Sequence, residues 1–407
     1  MAEPNSEPSP ESADNKLPRN VRLLGLSSLL NDIASEMIFP LLPKFILMLV
    51  GGNFLYLGVI EGLADTTASI VKLWSGSWSD RAGARKVFVV TGYAMAALAR
   101  PLMGFAMLPW HVAAVRVTDR FGKGIRSAPR DALIADSTAP AIRGRAFGFN
   151  RAMDHLGAAI GPVLAATFLY FRPNDMRLLF FLTIIPGAIV VALIAIGLRE
   201  KPIATRAGKK FQFTLAPLDR NFRIYLAALV VFTLGNSSDI FLLARAGQLG
   251  VPDYQLPLLW CAFHLVKSSG NLAAGYAVDR FGSRGMIAIG WVVYALIYLA
   301  FALATSASQA WLFFLLYGLF YALTEPAERT LVANLAGVER QGLAFGWFNF
   351  AIGIVALPSS VIFGAIYDRY GAAAAFGWSA SLAAIAVVIL FAVRVKPPAA
   401  AKPEAEA

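Results

Sequence analysis

Cysteine occurs once and histidine three times in these 407 residues, and that scarcity removes several kinds of site at the outset. Cys261 stands alone in an apolar stretch, so there is neither a disulfide framework nor a set of thiolates for a metal. His111, His155 and His264 are scattered without ligand spacing, and no metal or other cofactor is expected. Charge is scarce too, 15% of residues against 57% hydrophobic, with a mean hydropathy of +0.61. A soluble domain covers most of its surface with charge, so a chain this apolar needs another solvent. Residues 1–20 hold prolines, serines and glutamates but no apolar core of a cleavable signal, and read as a disordered cytosolic tail. Residues 396–407, rich in Ala, Pro, Lys and Glu, read the same way. The first apolar segment then acts as an uncleaved insertion signal.

Long apolar runs are what the sequence has in abundance. They recur from Val21 to Val395, most of them near the roughly 20 residues that cross a bilayer as a helix. Backbone groups cannot stay unpaired in lipid, and the strands of a barrel would be shorter and alternate in polarity. An all-α membrane protein is therefore expected. Twelve spans are predicted, at residues 21–50, 54–75, 87–108, 111–135, 146–171, 178–198, 223–247, 255–276, 286–305, 309–333, 343–366 and 372–394. The polar stretch 199–222, with Lys201, Arg206, Lys209, Lys210 and Arg220, reads as a cytosolic linker between six-helix halves at 21–198 and 223–395.

A net charge of +11 and a pI near 9.8 would suit a nucleic-acid partner, but the basic residues are distributed by side. With both termini in the cytoplasm, the inner segments carry Arg81, Arg85, Lys86, Arg143, Arg145, Arg280, Arg284 and Arg340, and the outer loops chiefly Arg172, Arg177 and Arg369. The expected partner is thus the lipid bilayer and not a nucleic acid: a multi-pass protein of the inner membrane, expected to be monomeric.

The two halves repeat each other. Gly76-Ser-Trp-Ser-Asp80-Arg81-Ala-Gly83-Ala-Arg85 recurs as Gly275-Tyr-Ala-Val-Asp279-Arg280-Phe-Gly282-Ser-Arg284, 199 residues later. Gly144-Arg-Ala-Phe-Gly-Phe149 recurs as Gly342-Leu-Ala-Phe-Gly-Trp347 at an offset of 198. Two matches in register argue for duplicated six-helix units with a site between them, an architecture of transporters.

The loop after the second span resembles the signature loop G-x-x-x-D-R-x-G-r-k of the major facilitator superfamily. That resemblance implies two pseudo-symmetric six-helix bundles. It also implies a cytoplasmic gate latched by Gly76, Asp80, Arg81, Gly83 and Arg85 and by Gly275, Asp279, Arg280, Gly282 and Arg284. Ala84 and Ser283 fill a slot that is usually basic, which implies a weaker latch or rearranged ion pairs. Three further stretches are similar to the drug:proton antiporter branch: Pro40-Leu-Leu-Pro43, Arg120-Phe-Gly-Lys123-Gly124, and Gly157-Ala-Ala-Ile-Gly161-Pro162. Lys123 replaces the usual amide of the second, and Ala165 and Ala166 replace the closing glycines of the third. Small residues let helices approach closely and proline lets them bend, so Gly157, Gly161 and Pro162 serve either that motif or plain packing. Residues 31–43 and 119–136 also resemble a widespread group of prokaryotic members, a likeness that names no substrate.

The fourth span is anomalous in its charge, with Arg116, Asp119, Arg120, Lys123, Arg126, Arg130 and Asp131 within sixteen residues. Each mid-membrane charge costs about 2.5–3.5 kcal/mol, so roughly five facing lipid would cost on the order of 12–18 kcal/mol. They must line water, pair with acids, or both. Asp119 and Lys123 share a helix face, as do Arg116 and Arg120. Candidate acids opposite are Asp32 and Glu36, Glu61 and Asp65, and Asp154. Asp32 lies about ten residues, roughly 15 Å, into its helix. Low dielectric disfavours a carboxylate's charge and a nearby arginine restores it, so a site that changes partners can take up and release a proton. Asp32, Glu36, Asp119 and Asp154, tuned by Arg120, form the candidate proton-coupling set. The competing reading is a static salt-bridge network, and for Arg130, Asp131 and Asp136 interfacial pairing.

At the repeat offset, Arg116, Asp119, Arg120 and Lys123 correspond to Phe314, Tyr317, Gly318 and Tyr321, so an ionic first half would face an aromatic second half. The candidate substrate cavity comprises Arg116, Lys123, Arg126, Asp239, His264, Lys267, Tyr317 and Tyr321, with Glu325, Glu328 and Arg329 as further polar candidates. Lys267 and Arg120 could bind an anionic group. The expected function is proton-coupled efflux of a small organic compound. The alternatives are proton-linked uptake or facilitated passage of an anionic metabolite and, remotely, a membrane-embedded enzyme or sensor. An enzyme is not expected, because Gly122-Lys123-Gly124 lies inside an apolar helix and lacks the Walker pattern.

Overall fold

The computed structural model describes residues 17–139, 142–200, 214–336 and 340–394, and every regular element among them is helical. Of the tails and linker expected from the sequence, residues 1–16, 201–213 and 395–407 lie outside the described residues. The first half holds α1 (Arg19–Ile38), α2 (Leu42–Leu49), α3 (Phe54–Ala82), α4 (Arg85–Leu102), α5 (Pro109–Asp136), α6 (Arg143–Phe171), α7 (Met176–Leu182) and α8 (Ile184–Gly197). The second holds α9 (Arg220–Gly235), α10 (Ile240–Gln248), α11 (Gln255–Phe281), α12 (Ser283–Leu303), α13 (Ala307–Ala336) and α14 (Gln341–Phe391).

These elements build twelve rods, because three rods are broken and α14 is two rods joined at Gly371, whose φ of 82° is not helical. The first rod breaks at the 3-10 turn Phe39–Leu41 between α1 and α2. Pro40 and Pro43 lack a backbone donor and crowd the carbonyl four residues back, so a continuous helix over 21–50 does not form. The sixth breaks at Thr183, where the Pro186 ring crowds the Leu182 carbonyl; the Thr183 hydroxyl donates instead to the Phe180 carbonyl at 2.6 Å. The seventh, expected as one helix over 223–247, is interrupted at residues 236–239, between α9 and α10.

The exterior is apolar, with Phe171, Ile196, Leu303 and Val388 among its most exposed side chains. Eight described segments are long and apolar enough to cross a membrane, and one of them, Leu343–Phe391, contains two rods. The sequences of α1 and α5 carry too much charge to count by that measure. Both are shielded from lipid by neighbours, α1 against α6 and α8, α5 between α3 and α4.

Alternation of the rods puts the described ends of the chain, near Arg19 and Arg394, at one end of the molecule; the turns at 50–53, 172–175, 249–254 and 371 lie at the far end. The halves meet along α3 and α14, along α6 and α11, and through α2 and α10. At the far end, apolar residues of α2 and α10, among them Leu42, Ile46, Ile240 and Leu243, share one buried core. Around it Lys44 pairs with Asp253, and the Phe54 ring stacks on Tyr367 at 3.9 Å. The Asp368 carboxylate of α14 accepts from the first two amides of α3, Phe54 N and Leu55 N, at 2.8 Å each. Asn53 Oδ1 takes the third, from Tyr56 N, at 3.1 Å. At the terminal end the separate core around Val21, Tyr93, Ile134 and Ile194 is confined to the first half.

Candidate functional site

A cavity of about 650 Å³ lies between the halves, running from mid-height toward the terminal end. Its innermost wall is formed where the first and seventh rods stop being helical. Glu36 and Phe39 come from the first, Asn236, Ser237, Ser238 and Asp239 from the seventh. The 198-residue offset carries residues 39–41 onto 237–239, so the halves break at matched heights. Irregular backbone is tolerated at membrane depth where it lines a polar space, and the breaks of the first and seventh rods do so.

Among the described residues, five acids and five cations line the cavity. From the first half come Glu36, Asp65, Lys72, Arg120 and Lys123; from the second come Asp239, Lys267, Glu325, Glu328 and Arg329, with His264 beside them. The expected contrast between an ionic first half and an aromatic second half is therefore corrected. The second half supplies half of the charge as well as the Phe232, Trp260, Phe320 and Tyr321 rings.

Glu36 reaches across the divide: Trp260 Nε1 of α11 donates to its Oε2 at 2.7 Å, and Ser35 Oγ to its Oε1 at 3.3 Å. Asp65 faces Arg120 at 3.6 Å. Asp239 accepts from the Tyr317 hydroxyl at 2.7 Å and from Tyr321 at 3.2 Å. Lys267 lies 3.3 Å from Glu325 and 4.3 Å from the Tyr321 ring centre, while Arg329 approaches Glu325 at 3.7 Å. Lys72 and Lys123 have no acid within ion-pair reach among the described residues, and Arg120 Nε and His264 Nε2 are buried without a hydrogen-bond partner.

Three residues expected on the cavity wall lie elsewhere. Arg116 turns away to fork onto Glu61, with Nε and Nη2 each 2.6 Å from a carboxylate oxygen, both residues buried. Arg126 stacks on the Tyr93 ring at 4.4 Å. Tyr317 is wholly buried among Phe263, Tyr294 and Phe320 behind the wall that Tyr321 forms. A helical repeat fixes which residues share a face but not which neighbour that face meets.

The candidate proton-coupling residues also separate. Asp119 is buried between Arg100, at 2.9 Å, and Arg116, at 3.9 Å. Arg100 further donates to the Asn31 carbonyl and side chain, at 2.9 and 3.1 Å, and Asn31 donates to Asp32 at 2.9 Å. One chain of polar contacts thus runs Glu61–Arg116–Asp119–Arg100–Asn31–Asp32 through α3, α5, α4 and α1. Asp154 sits apart, 3.7 Å from Arg130 and 3.5 Å from Arg151. Glu36 and Arg120 alone of the five line the large cavity. Sequence reasoning missed Arg100, a single charge in an otherwise apolar span, Lys72, on the same helix as Glu61 and Asp65, and the polar break at 236–239, which its Asn-Ser-Ser-Asp run could have signalled.

The antiporter-like stretch lies where α6 crosses α1. A Cβ on Gly157 would fall 2.5 Å from the Leu29 carbonyl oxygen, and one on Gly161 2.7 Å from that of Ile33. These glycines set the height of Asp32 and Glu36, and Pro162 follows them inside α6. In the signature loops, Gly83 and Gly282 take positive φ, 60° and 77°, ending α3 and α11 where a side chain would be strained. Arg85 pairs with Asp136, and its backbone N–H, with that of Lys86, is capped by Glu200 at 2.6 and 3.1 Å. Arg284 donates to the Val393 carbonyl at 2.7 Å, Arg280 lies over the Phe281 ring, and Arg81 is exposed. Gly76 packs near Ala128. Asp80, Asp279 and Gly275 stand on α3 and α11, and their side-chain surroundings lie outside what is described.

Comparison with known proteins adds to this geometry. The family profile of the Major Facilitator Superfamily matches residues 24–266 and 224–407. The MFS-type transporter MJ1317 of Methanocaldococcus jannaschii is 32% identical over 374 residues, 90% of this chain and 93% of that one. The multidrug resistance protein MdtH of Escherichia coli O1:K1 is 23% identical over 323 residues, 78% of this chain and 79% of its own length. Among solved structures, a crystal structure of the nucleoside transporter NupG superposes with a TM-score of 0.74 at 13% identity, covering 92% of this chain and 98% of that one, a likeness of fold.

Proposed function

The chain belongs to the Major Facilitator Superfamily, a family of membrane transporters, and we propose that it exports a small organic compound in exchange for protons by alternating access. In this reading the halves 21–198 and 223–395 rock about the cavity, in an inner membrane with both termini in the cytoplasm. The far end, where α2 meets α10, is then the closed outer gate, and the cavity faces the cytoplasm.

The observation that carries the proposal is the hydrogen bond from Trp260 to Glu36. A carboxylate at membrane depth accepts from a residue of the opposite half, so movement of the halves necessarily changes its partner. Protonation cancels the charge that strengthens this bond, and a charge-assisted bond contributes about 1.5–3 kcal/mol. The protonation state of Glu36 and the conformation of the protein are therefore coupled. Asp32, one turn back on α1, is the second member of this set. Asp119 and Asp154, held by arginines, act as positioning residues, and Arg120 tunes the carboxylates at the wall. The multidrug relative supports the direction of export. Gly83 and Gly282 end α3 and α11, Arg85 and Arg284 stand at the starts of α4 and α12, and with Gly76 and Gly275 these residues are proposed as the inner latch.

The test is transport in proteoliposomes under an imposed pH gradient, with wild type, Glu36→Gln, Asp32→Asn and Asp119→Asn. Release of compound against its gradient as protons enter supports export, and loss of proton drive in Glu36→Gln with exchange retained supports the assignment. Substrate and proton moving together would replace export by uptake, and unchanged coupling in Glu36→Gln and Asp32→Asn would remove the carrier roles.

A further inference from the structure

We propose that the cavity selects an amphipathic organic anion, its acidic head held by Lys123 and Arg120 and its apolar body by the aromatic wall of the second half. This rests on the reading of the cavity as a substrate site, but not on the direction of transport or on protons as the driving ion.

Among the described residues formal charge on the wall is balanced, five against five, yet its engagement is uneven. The carboxylates of Glu36, Asp239 and Glu325 already have donors or cations at 2.7, 2.7 and 3.3 Å. Asp65 has only the long contact with Arg120, which leaves the buried Arg120 Nε without a hydrogen bond. Lys123, one turn further along the same face of α5, is exposed to the cavity, and among the described residues no acid lies within ion-pair reach of it. His264 Nε2 is a further orphaned ring nitrogen at the wall. Glu328 is an acid without an ion pair, but it stands two turns nearer the mouth than Tyr321. At the inner part of the cavity the charge still free to meet a ligand is therefore positive.

The other half of the recognition lies across the cavity. Trp260 packs on Phe39 with ring centres 4.8 Å apart, and Phe232 and Phe320 are 5.6 Å apart, with Tyr321 4.8 Å from Phe320. A planar apolar body fits against such rings, and about 650 Å³ matches the size of ordinary small-molecule sites. A guanidinium and an ammonium three residues apart suit a carboxylate, sulfonate or phosphate head. At the inner part of the cavity an organic cation would find Glu36 and Asp239 already engaged and two cations beside them.

The experiment uses the full chain in nanodiscs and three probes sharing one body: 2-naphthoate, 2-naphthylmethanol and 2-naphthylmethylammonium, with affinity measured by equilibrium dialysis. Naphthoate is expected to bind at least roughly tenfold more tightly than the other two. Lys123→Ala should weaken naphthoate by about tenfold while leaving the alcohol unchanged, and Lys123→Arg should restore it. Equal or tighter binding of the ammonium probe would overturn the proposal. So would naphthoate binding indifferent to Lys123→Ala, or no naphthoate binding up to millimolar concentration. Anion preference without proton-driven release would remove export and leave this inference standing. Proton-driven release of the ammonium probe would do the reverse.

Discussion

Replacing Asp368 with alanine should open the far end of the molecule. Its carboxylate belongs to α14 but caps α3 on the other half, through Phe54 N and Leu55 N at 2.8 Å each. Those amides are the first two unpaired donors of a helix, and Asn53 satisfies only the third. When the halves part, Phe54 and Leu55 lose their acceptor and must turn to water. Capping by an aspartate contributes typically about 1 kcal/mol, and because Asp368 is exposed no larger value is warranted. That energy is present only while the far end is closed, so its loss shifts the balance toward the opened state by a factor of roughly five. Asp368→Asn keeps one side-chain oxygen and should move the balance less, since asparagine caps nearly as well as aspartate. Cys261→Ala provides a cysteine-free background in which spin labels at Met48→Cys and Ser308→Cys report the distance across this end. Electron–electron resonance should show a longer-distance population that grows in the order wild type, Asp368→Asn, Asp368→Ala. An unchanged distribution in Asp368→Ala would refute the argument, because the cap would then contribute equally to both states.

Three further outcomes are expected. Glu61→Gln removes the forked counter-charge of the buried Arg116 and leaves it only the more distant Asp119, at 3.9 Å; breaking a buried pair costs about 3–5 kcal/mol, so thermal stability should fall by up to that amount, and changing both residues to leucine should recover most of it. Gly157→Ala drives a methyl toward the Leu29 carbonyl, and overpacking of this kind costs roughly 1–3 kcal/mol, so transport should fall through displacement of α1 although Gly157 itself does not line the cavity. Tyr321→Ala should weaken substrate affinity because that ring lines the cavity, whereas Tyr317→Ala should lower thermal stability with affinity less affected; the opposite pattern would show that the wall has been assigned to the wrong tyrosine.

The architecture was legible because membrane crossing is a matter of length and solvent. Runs of about 20 apolar residues, basic loops on one side and a repeat at 198–199 residues leave few other folds for this chain. The discontinuities were less legible. Pro40 and Pro43 stood inside a span read as one helix over 21–50, and the other break at the cavity rests on Asn236, Ser237, Ser238 and Asp239, polar residues diluted by the apolar window around them. The charges of α5 announced that the helix is shielded from lipid, yet their partners depend on how α3, α4 and α5 turn toward one another. Arg116 finds Glu61 and Asp119 finds Arg100 because the faces meeting across those helices are set by packing, which a single sequence does not report. Glu36 was found as an acid at depth, but its contact with Trp260 is 224 residues away in sequence and became visible only in three dimensions.

The matched breaks make α2 and α10 two short levers, each about 12–14 Å long at 1.5 Å per residue. Their pivots, Phe39–Leu41 and residues 236–239, sit beside the space a cargo would fill. A door hung this way needs no long relay between what it admits and whether it shuts. In the proposed cycle a cargo resting against Phe39 and Asp239 would touch both breaks at once, and the far end would answer to it directly.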